Sequence, residues 1–141
     1  MAPLHPALVD ALEWTLREYP IKAEELDGID RFIEDCCQDS VWVFDVTKHA
    51  SMPASVEERI LEAKERNTRR QWLIGFIRRV DNALATLDKQ EIKFVNFYYW
   101  EHMSTERIAL EFEINVRTAY RVKDRILLKL APVMMPDLVH P

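Results

Sequence analysis

The sequence predicts an all-helical protein. It contains only two glycines, its long Glu/Lys/Arg/Leu/Ala-rich segments place apolar residues at helical spacing, and strand-type alternation is scarce. Apolar residues make up 48% of the 141 residues, which is enough for a hydrophobic core. We expect four parts: an acidic helical hairpin with a linker over residues 1–54, a long central helix over residues 55–87, a three-helix domain over residues 88–131, and a tail over residues 132–141.

The N-terminal part predicts two helices. Apolar residues of the first follow helical spacing at Leu8, Leu12, Leu16 and Tyr19. The pattern restarts after Pro20, a residue that suits the first turn of a helix, so we expect a hairpin at this point. The stretch QDSVWVFDVTKHASMPAS that follows is β-branched and aromatic. It predicts an extended linker with one short strand at Val41–Val46.

The central helix begins with a capping signal. Ser55 is followed three residues later by Glu58, the pattern of a capping box, and Gly75 is the only helix breaker in the segment. Its later apolar residues step by four, three, four and three: Leu73, Ile77, Val80, Leu84 and Leu87. Such a seam packs against another helix, either within one chain or, as a short coiled coil, in a homodimer.

The C-terminal part predicts three short helices. N-cap residues stand at Asp88, Ser104 and Asn115, and Pro132 is expected to end the last helix. About three residues, from Glu113 to Asn115, separate the second helix from the third. This spacing is typical of a helix-turn-helix.

The last helix concentrates positive charge in an acidic protein. The net charge of the chain is -5, and residues 1–54 hold four Lys/Arg against eleven Asp/Glu. The segment from Val116 to Leu130 contains five Lys/Arg residues and one acidic residue. Because the second helix of a helix-turn-helix lies in the major groove of DNA, it must be apolar on one side and cationic on another. The apolar stripe is Ala119, Val122, Ile126 and Leu130.

The remaining faces of this helix supply the predicted DNA-binding residues. Arg117 and Arg121, near its start, are candidates for bidentate contact with guanine. Lys123 and Arg125 lie further along, where phosphate is the nearer partner. Contacts with a thymine methyl group or the backbone are predicted for Thr118 and Tyr120.

Residues Leu87 to Ala131 resemble sigma-factor region 4, and more closely the phage-encoded transcriptional regulators of the ArpU and RinA type. The segments that carry the resemblance are LDKQEIKFVNFYYW, STERIALEF and INVRTAYRVKDRILLKLA. The resemblance implies a helix-turn-helix in which Ile108 and Ala109 anchor the first helix. It also implies activation of late viral genes, with RNA polymerase as a further partner. One departure is Glu113, at a turn position where these families usually have glycine.

Other chemistry finds little support in the sequence. The four histidines are scattered, so we expect no metal site, and no nucleophile elbow, phosphate loop or dinucleotide fingerprint occurs. We therefore expect neither an enzyme nor a cofactor. No apolar run reaches the roughly 18 residues of a membrane span, and the N-terminus lacks a signal-peptide pattern, so the expected location is the cytoplasm. The resemblance to phage-encoded regulators implies the cytoplasm of a bacterial host.

Two further features leave alternatives open. The aromatic cluster from Phe94 to Trp100 is either core or a stacking platform for single-stranded nucleic acid. The basic run from Arg66 to Arg79 either contacts phosphates or is the outer side of a helix.

The expected function is a sequence-specific regulator that binds double-stranded DNA. The alternatives are a DNA-packaging protein similar to a terminase small subunit, and an interaction module that docks on RNA polymerase through the acidic hairpin.

Overall fold

The computed structural model describes residues 3–38 and 55–139. These residues form helices and no strand, which confirms the all-helical class. The predicted linker and its short strand lie outside the described residues. The helices are α1 (Pro6–Gln38), α2 (Val56–Arg66), α3 (Thr68–Leu84), α4 (Lys89–Val95) with a π-helical continuation (Asn96–Trp100), α5 (Thr105–Glu111), α6 (Val116–Met134) and α7 (Pro136–Val139).

Contacts divide the chain into two compact units. The first comprises Met1–Pro20 and Ile77–Pro141, and the second comprises Ile21–Phe76. This grouping differs from the predicted division at residues 54, 87 and 131. It places the first half of α1 with the C-terminal helices.

The predicted N-terminal hairpin is wrong, because α1 is one helix of 33 residues with Pro20 inside it. Proline has no N–H, so the carbonyl of Leu16, four residues earlier, loses its helical donor. The indole Nε1 of Trp100 donates to this carbonyl oxygen at 2.8 Å. A donor from the C-terminal helices thus satisfies the group that Pro20 leaves unpaired, and the helix continues through the proline.

This bond yields a prediction on stability. Trp100→Phe should lower the free energy of unfolding by about 1–3 kcal/mol, because the Leu16 carbonyl is left without a donor. In a Pro20→Ala background, Trp100→Phe should lower the free energy of unfolding by a smaller amount, since the alanine N–H can donate to the Leu16 carbonyl within the helix. Urea denaturation of the four proteins in this double-mutant cycle measures the coupling. An equal cost of Trp100→Phe in both backgrounds would contradict the explanation.

The single long central helix is also a wrong prediction. It is divided at Asn67, whose backbone is extended at φ -76° and ψ 105°. The Asn67 side chain accepts a hydrogen bond from the Arg70 amide at 2.8 Å, so it caps the start of α3. The Ser55 cap is confirmed, with its hydroxyl accepting from the Glu58 amide at 3.1 Å. Gly75 lies inside α3 and does not break it.

Ion pairs organise the second unit. The guanidinium of Arg69 donates to both carboxylate oxygens of Glu25 at 2.6 and 2.9 Å, and this partner lowers the pKa of Glu25. Arg70 pairs with Asp30 at 2.5 Å. Lys64 of α2 similarly pairs with Glu34 at 2.8 Å. Much of the basic run is therefore used within the chain, against the acids of α1.

In the predicted apolar seam, Ile77 and Leu84 are half-buried, and the other three residues are buried within one chain. Leu73 and Val80 have no exposed surface, and Leu87 is 8% exposed. This burial favours packing within the chain over a dimer interface for these residues.

The three predicted C-terminal caps are confirmed. Asp88 and Glu91 form a reciprocal capping box, the Ser104 hydroxyl accepts from the Arg107 amide at 3.2 Å, and the Asn115 side chain accepts from the Thr118 amide at 2.7 Å. The predicted stop at Pro132 is wrong, because α6 continues to Met134. In this last turn the Met135 amide still donates to the Ala131 carbonyl at 2.9 Å, so the helical ladder resumes beyond the proline.

Candidate nucleic-acid interface

Helices α5 and α6 are adjacent and share a buried apolar surface. Ile108 and Ala109 of α5 are 0% and 3% exposed. On α6, the predicted stripe is buried at Ala119, Ile126 and Leu130, and it widens to Leu127, Ala131 and Met134. Val122, the remaining member of the stripe, is half-buried. The burial on one side of α6 leaves its opposite side to solvent.

The connection between α5 and α6 is closed by backbone hydrogen bonds. Glu113 adopts a left-handed conformation at φ 56°. Its amide donates to the Leu110 carbonyl at 3.2 Å, and the Ile114 amide donates to the Ala109 carbonyl at 2.9 Å. This is the Schellman arrangement, which usually places glycine at the left-handed position. Glu113 is therefore a non-glycine residue at the left-handed position of this turn.

Replacing this residue by glycine should stabilise the protein. A left-handed conformation costs a non-glycine residue about 1–2 kcal/mol, so we expect Glu113→Gly to raise the free energy of unfolding by about 1 kcal/mol. Urea denaturation measures the change. Glu111→Gly, at a right-handed position in α5, is the matched control and should destabilise by about 0.5–1 kcal/mol. A loss of stability in Glu113→Gly would contradict strain at this turn.

Two of the predicted DNA-binding residues have free side chains on the first turns of α6. Arg117 and Arg121 are exposed, and no described residue forms an ion pair with either. They are four residues apart, so they project from the same side of the helix. Tyr120, beside them, is 47% exposed, whereas Thr118 is half-buried.

Lys123 is engaged inside the first unit. Its side chain is 17% exposed, and its Nζ lies 3.9 Å from the Glu13 carboxylate of α1. The same ammonium group lies 5.2 Å from the ring centroid of Tyr98 and 5.8 Å from that of Tyr120. These contacts direct its charge toward the protein.

Arg125 and Lys129 share one acidic partner, Glu91 of α4, which is 2% exposed. Lys129 Nζ donates to Glu91 Oε1 at 2.7 Å. Arg125 Nε lies 3.7 Å from Glu91 Oε2 while 61% of the Arg125 side chain is exposed. The carboxylate of Glu91 therefore offsets part of the positive charge of Arg125, while the Arg125 side chain remains exposed to solvent.

The aromatic cluster packs against α1, and two of its five aromatic residues are buried. Phe94 and Tyr99 are each 1% exposed. The Tyr99 hydroxyl donates to the Glu13 carboxylate at 2.8 Å, and burial, together with this carboxylate, raises the pKa of Tyr99. The rings of Tyr19 and Trp100 stack with centroids 5.6 Å apart. The π-helical segment thus supplies packing, and its burial favours core over a stacking platform.

The structure adds one residue that the sequence analysis did not single out. Arg107 is an exposed cation of α5, and no described residue forms an ion pair with it. Arg107 directly precedes the buried pair Ile108 and Ala109. Its position beside these apolar residues is the feature of the sequence that could have identified it as a candidate.

No protein-family model, no curated protein and no solved structure matches this chain. Among the described residues, no helix is both long and apolar enough to span a membrane.

Proposed function

We propose that this protein is a sequence-specific regulator that binds double-stranded DNA, with α5, the connection and α6 as its helix-turn-helix. The observation that carries the proposal is the state of Arg117 and Arg121: both are exposed, both lack an ion-pair partner among the described residues, and both lie on the first turns of α6. In a helix-turn-helix these turns approach the base edges.

The contrast within α6 supports this role. Three cations of α6 have carboxylate partners inside the chain: Lys123, Arg125 and Lys129. In contrast, Arg117 and Arg121 have no such partner among the described residues. A guanidinium presents a fork of donors that matches O6 and N7 of guanine. We therefore assign base contact to Arg117 and Arg121.

Phosphate contact is assigned to other residues. Arg107 of α5 is exposed on the helix that crosses the DNA backbone in this motif. Arg125 is an exposed cation further along α6, and a DNA phosphate would compete with Glu91 for its guanidinium group. The charge of Lys123 faces Glu13, so we propose that Lys123 contributes less to DNA binding than the sequence predicted.

The distribution of charge is consistent with such a protein. Residues 1–54 alone hold four Lys/Arg against eleven Asp/Glu, a net charge of -7, so the total of -5 does not describe the α6 surface. Electrostatic attraction to phosphates acts over about 10 Å at 0.1 M salt. Local charge on α6 therefore matters more for DNA binding than the total.

The resemblance to ArpU- and RinA-type regulators carries the finer proposal. It assigns the protein to activation of late phage genes in the bacterial cytoplasm, with RNA polymerase as a second partner. The pairing of Glu25, Asp30 and Glu34 with basic residues of the same unit leaves fewer free acids for docking on polymerase through α1.

Selection from random duplex DNA tests the proposal. The full chain should enrich a defined sequence, and footprinting should place the protein on a major groove of that site. Recovery of a motif together with a ring of many subunits in solution would support a DNA-packaging protein. A folded chain that enriches no sequence, but binds RNA polymerase, would support the interaction module.

A further inference from the structure

The ammonium group of Lys123 contacts two tyrosine rings of the first unit. Its Nζ lies 5.2 Å from the ring centroid of Tyr98 and 5.8 Å from that of Tyr120. Only 17% of the Lys123 side chain is exposed. A cation within about 6 Å of a ring centroid is attracted by the negative face of the ring, and more strongly where water is excluded. Lys123 therefore restrains the ring of Tyr120.

A carboxylate of α1 fixes this ammonium group in turn. Glu13 Oε2 lies 3.9 Å from Lys123 Nζ and also accepts a hydrogen bond from the Tyr99 hydroxyl at 2.8 Å. The Glu13 side chain is 13% exposed, and Tyr99 is 1% exposed, so this anchor belongs to the core. A series of contacts thus runs from the core, through Glu13 and Lys123, to the Tyr120 ring.

The restrained ring still presents apolar surface on the early turns of α6. Tyr120 is 47% exposed and directly precedes Arg121, to which base contact is assigned. A side chain that is already restrained loses less conformational entropy when it binds. Among the groups that the four bases present in the major groove, the C5-methyl group of thymine is the apolar one. An exposed, restrained ring beside an arginine that reads guanine therefore fits a thymine.

We propose that Tyr120 determines specificity for a thymine by packing its ring on the C5-methyl group, and that Lys123 is the positioning residue for this ring. The inference rests on the proposed function, because it requires α6 to lie in the major groove. It assigns the contact to the ring and not to the hydroxyl. A hydroxyl that donated to a phosphate would strengthen binding to every sequence alike.

Deoxyuridine is the probe, because it differs from thymidine only by the missing C5-methyl group. Each thymine of the DNA site selected by the full chain is replaced by uracil in turn, and fluorescence anisotropy measures the affinity of the wild-type chain. At one position the replacement should weaken binding about fourfold, as expected when one methyl group is no longer buried.

Two variants separate the Tyr120 ring from its hydroxyl. Tyr120→Ala should bind the thymine and uracil forms of the site equally well at that position. Tyr120→Phe is the matched control, and it should keep the preference for thymine because the ring remains. Loss of this preference in Tyr120→Phe, or its persistence in Tyr120→Ala, would overturn the ring contact.

Lys123→Met tests the positioning role, because it keeps an unbranched side chain and removes the ammonium group. It should reduce the uracil effect to about twofold or less, since the cation no longer restrains the ring. The preference for guanine assigned to Arg121 should not change, whereas a general loss of structure would weaken both preferences.

Glu13→Gln is a second variant, which keeps the test valid where Lys123→Met disturbs folding, as detected by circular dichroism. It removes the charge opposite Lys123, while the glutamine oxygen can still accept from the Tyr99 hydroxyl. It should also reduce the uracil effect. An undiminished uracil effect in either folded variant would overturn the positioning role of Lys123.

Failure of this inference is distinct from failure of the proposed function. A chain that enriches no DNA sequence overturns both. A chain that enriches a site, but binds it equally well with thymine or uracil at every position, overturns the thymine contact alone.

Discussion

Replacing Arg121 by alanine is expected to weaken binding to the selected DNA site by about 1–3 kcal/mol and to leave binding to random DNA nearly unchanged. The reason is geometric: Arg121 is exposed on the early turns of α6 and has no ion-pair partner among the described residues. Loss of a bidentate contact removes the preference for one base pair. Fluorescence anisotropy with specific and random duplexes measures both affinities at one salt concentration, because affinity for DNA depends strongly on salt.

Arg31→Ala is the matched control, since it removes the same charge from an exposed position of α1. Arg31→Ala should change the affinities for the selected site and for random DNA only slightly and by the same amount. If Arg117→Ala and Arg121→Ala both fold normally and keep full specificity, α6 does not read the bases. The interaction module would then become the leading function.

Val80→Asp is expected to destabilise the protein strongly. The Val80 side chain has no exposed surface, so the substitution buries a carboxylate without a partner. Such a change costs about 4 kcal/mol or more, a large part of the 5–15 kcal/mol by which domains are stable. Thermal unfolding by circular dichroism measures the loss.

Asn82→Asp provides the control, because it adds the same charge at an exposed position of α3 and should change stability by less than about 0.5 kcal/mol. A coiled-coil dimer through Val80 makes the opposite prediction. In that case Val80→Asp would give folded monomers that bind DNA weakly.

Local signals in the sequence predicted the helix starts well. The caps at Ser55, Asp88, Ser104 and Asn115 each involve a side chain and an amide three residues away, so all the information lies in a short window. The apolar stripe of α6 likewise follows from helical periodicity. These signals also placed Arg117 and Arg121 on the side of α6 that the structure leaves exposed.

The errors come from partners distant in sequence and from an overlooked cap. Pro20 could not be recognised as an internal proline, because the donor that satisfies Leu16 is Trp100, 84 residues away. In the sequence, Lys123 and Arg121 are both cations of the same helix and cannot be told apart. In the structure, the Lys123 ammonium group lies beside the Glu13 carboxylate of α1, so its charge is directed toward the protein. At Asn67 the break had a local signal, since asparagine is a good N-cap, although the surrounding run contains no glycine or proline.

The most direct measurement of base reading by α6 combines a change in the protein with a change in the DNA. Each guanine of the selected site is replaced in turn by 7-deazaguanine, which lacks the N7 acceptor, and binding of the wild-type and Arg121→Ala chains is compared. We expect one position at which the replacement weakens the wild-type complex by about 1 kcal/mol and leaves the Arg121→Ala complex unchanged. Equal sensitivity of the two chains at every guanine would contradict base reading by Arg121.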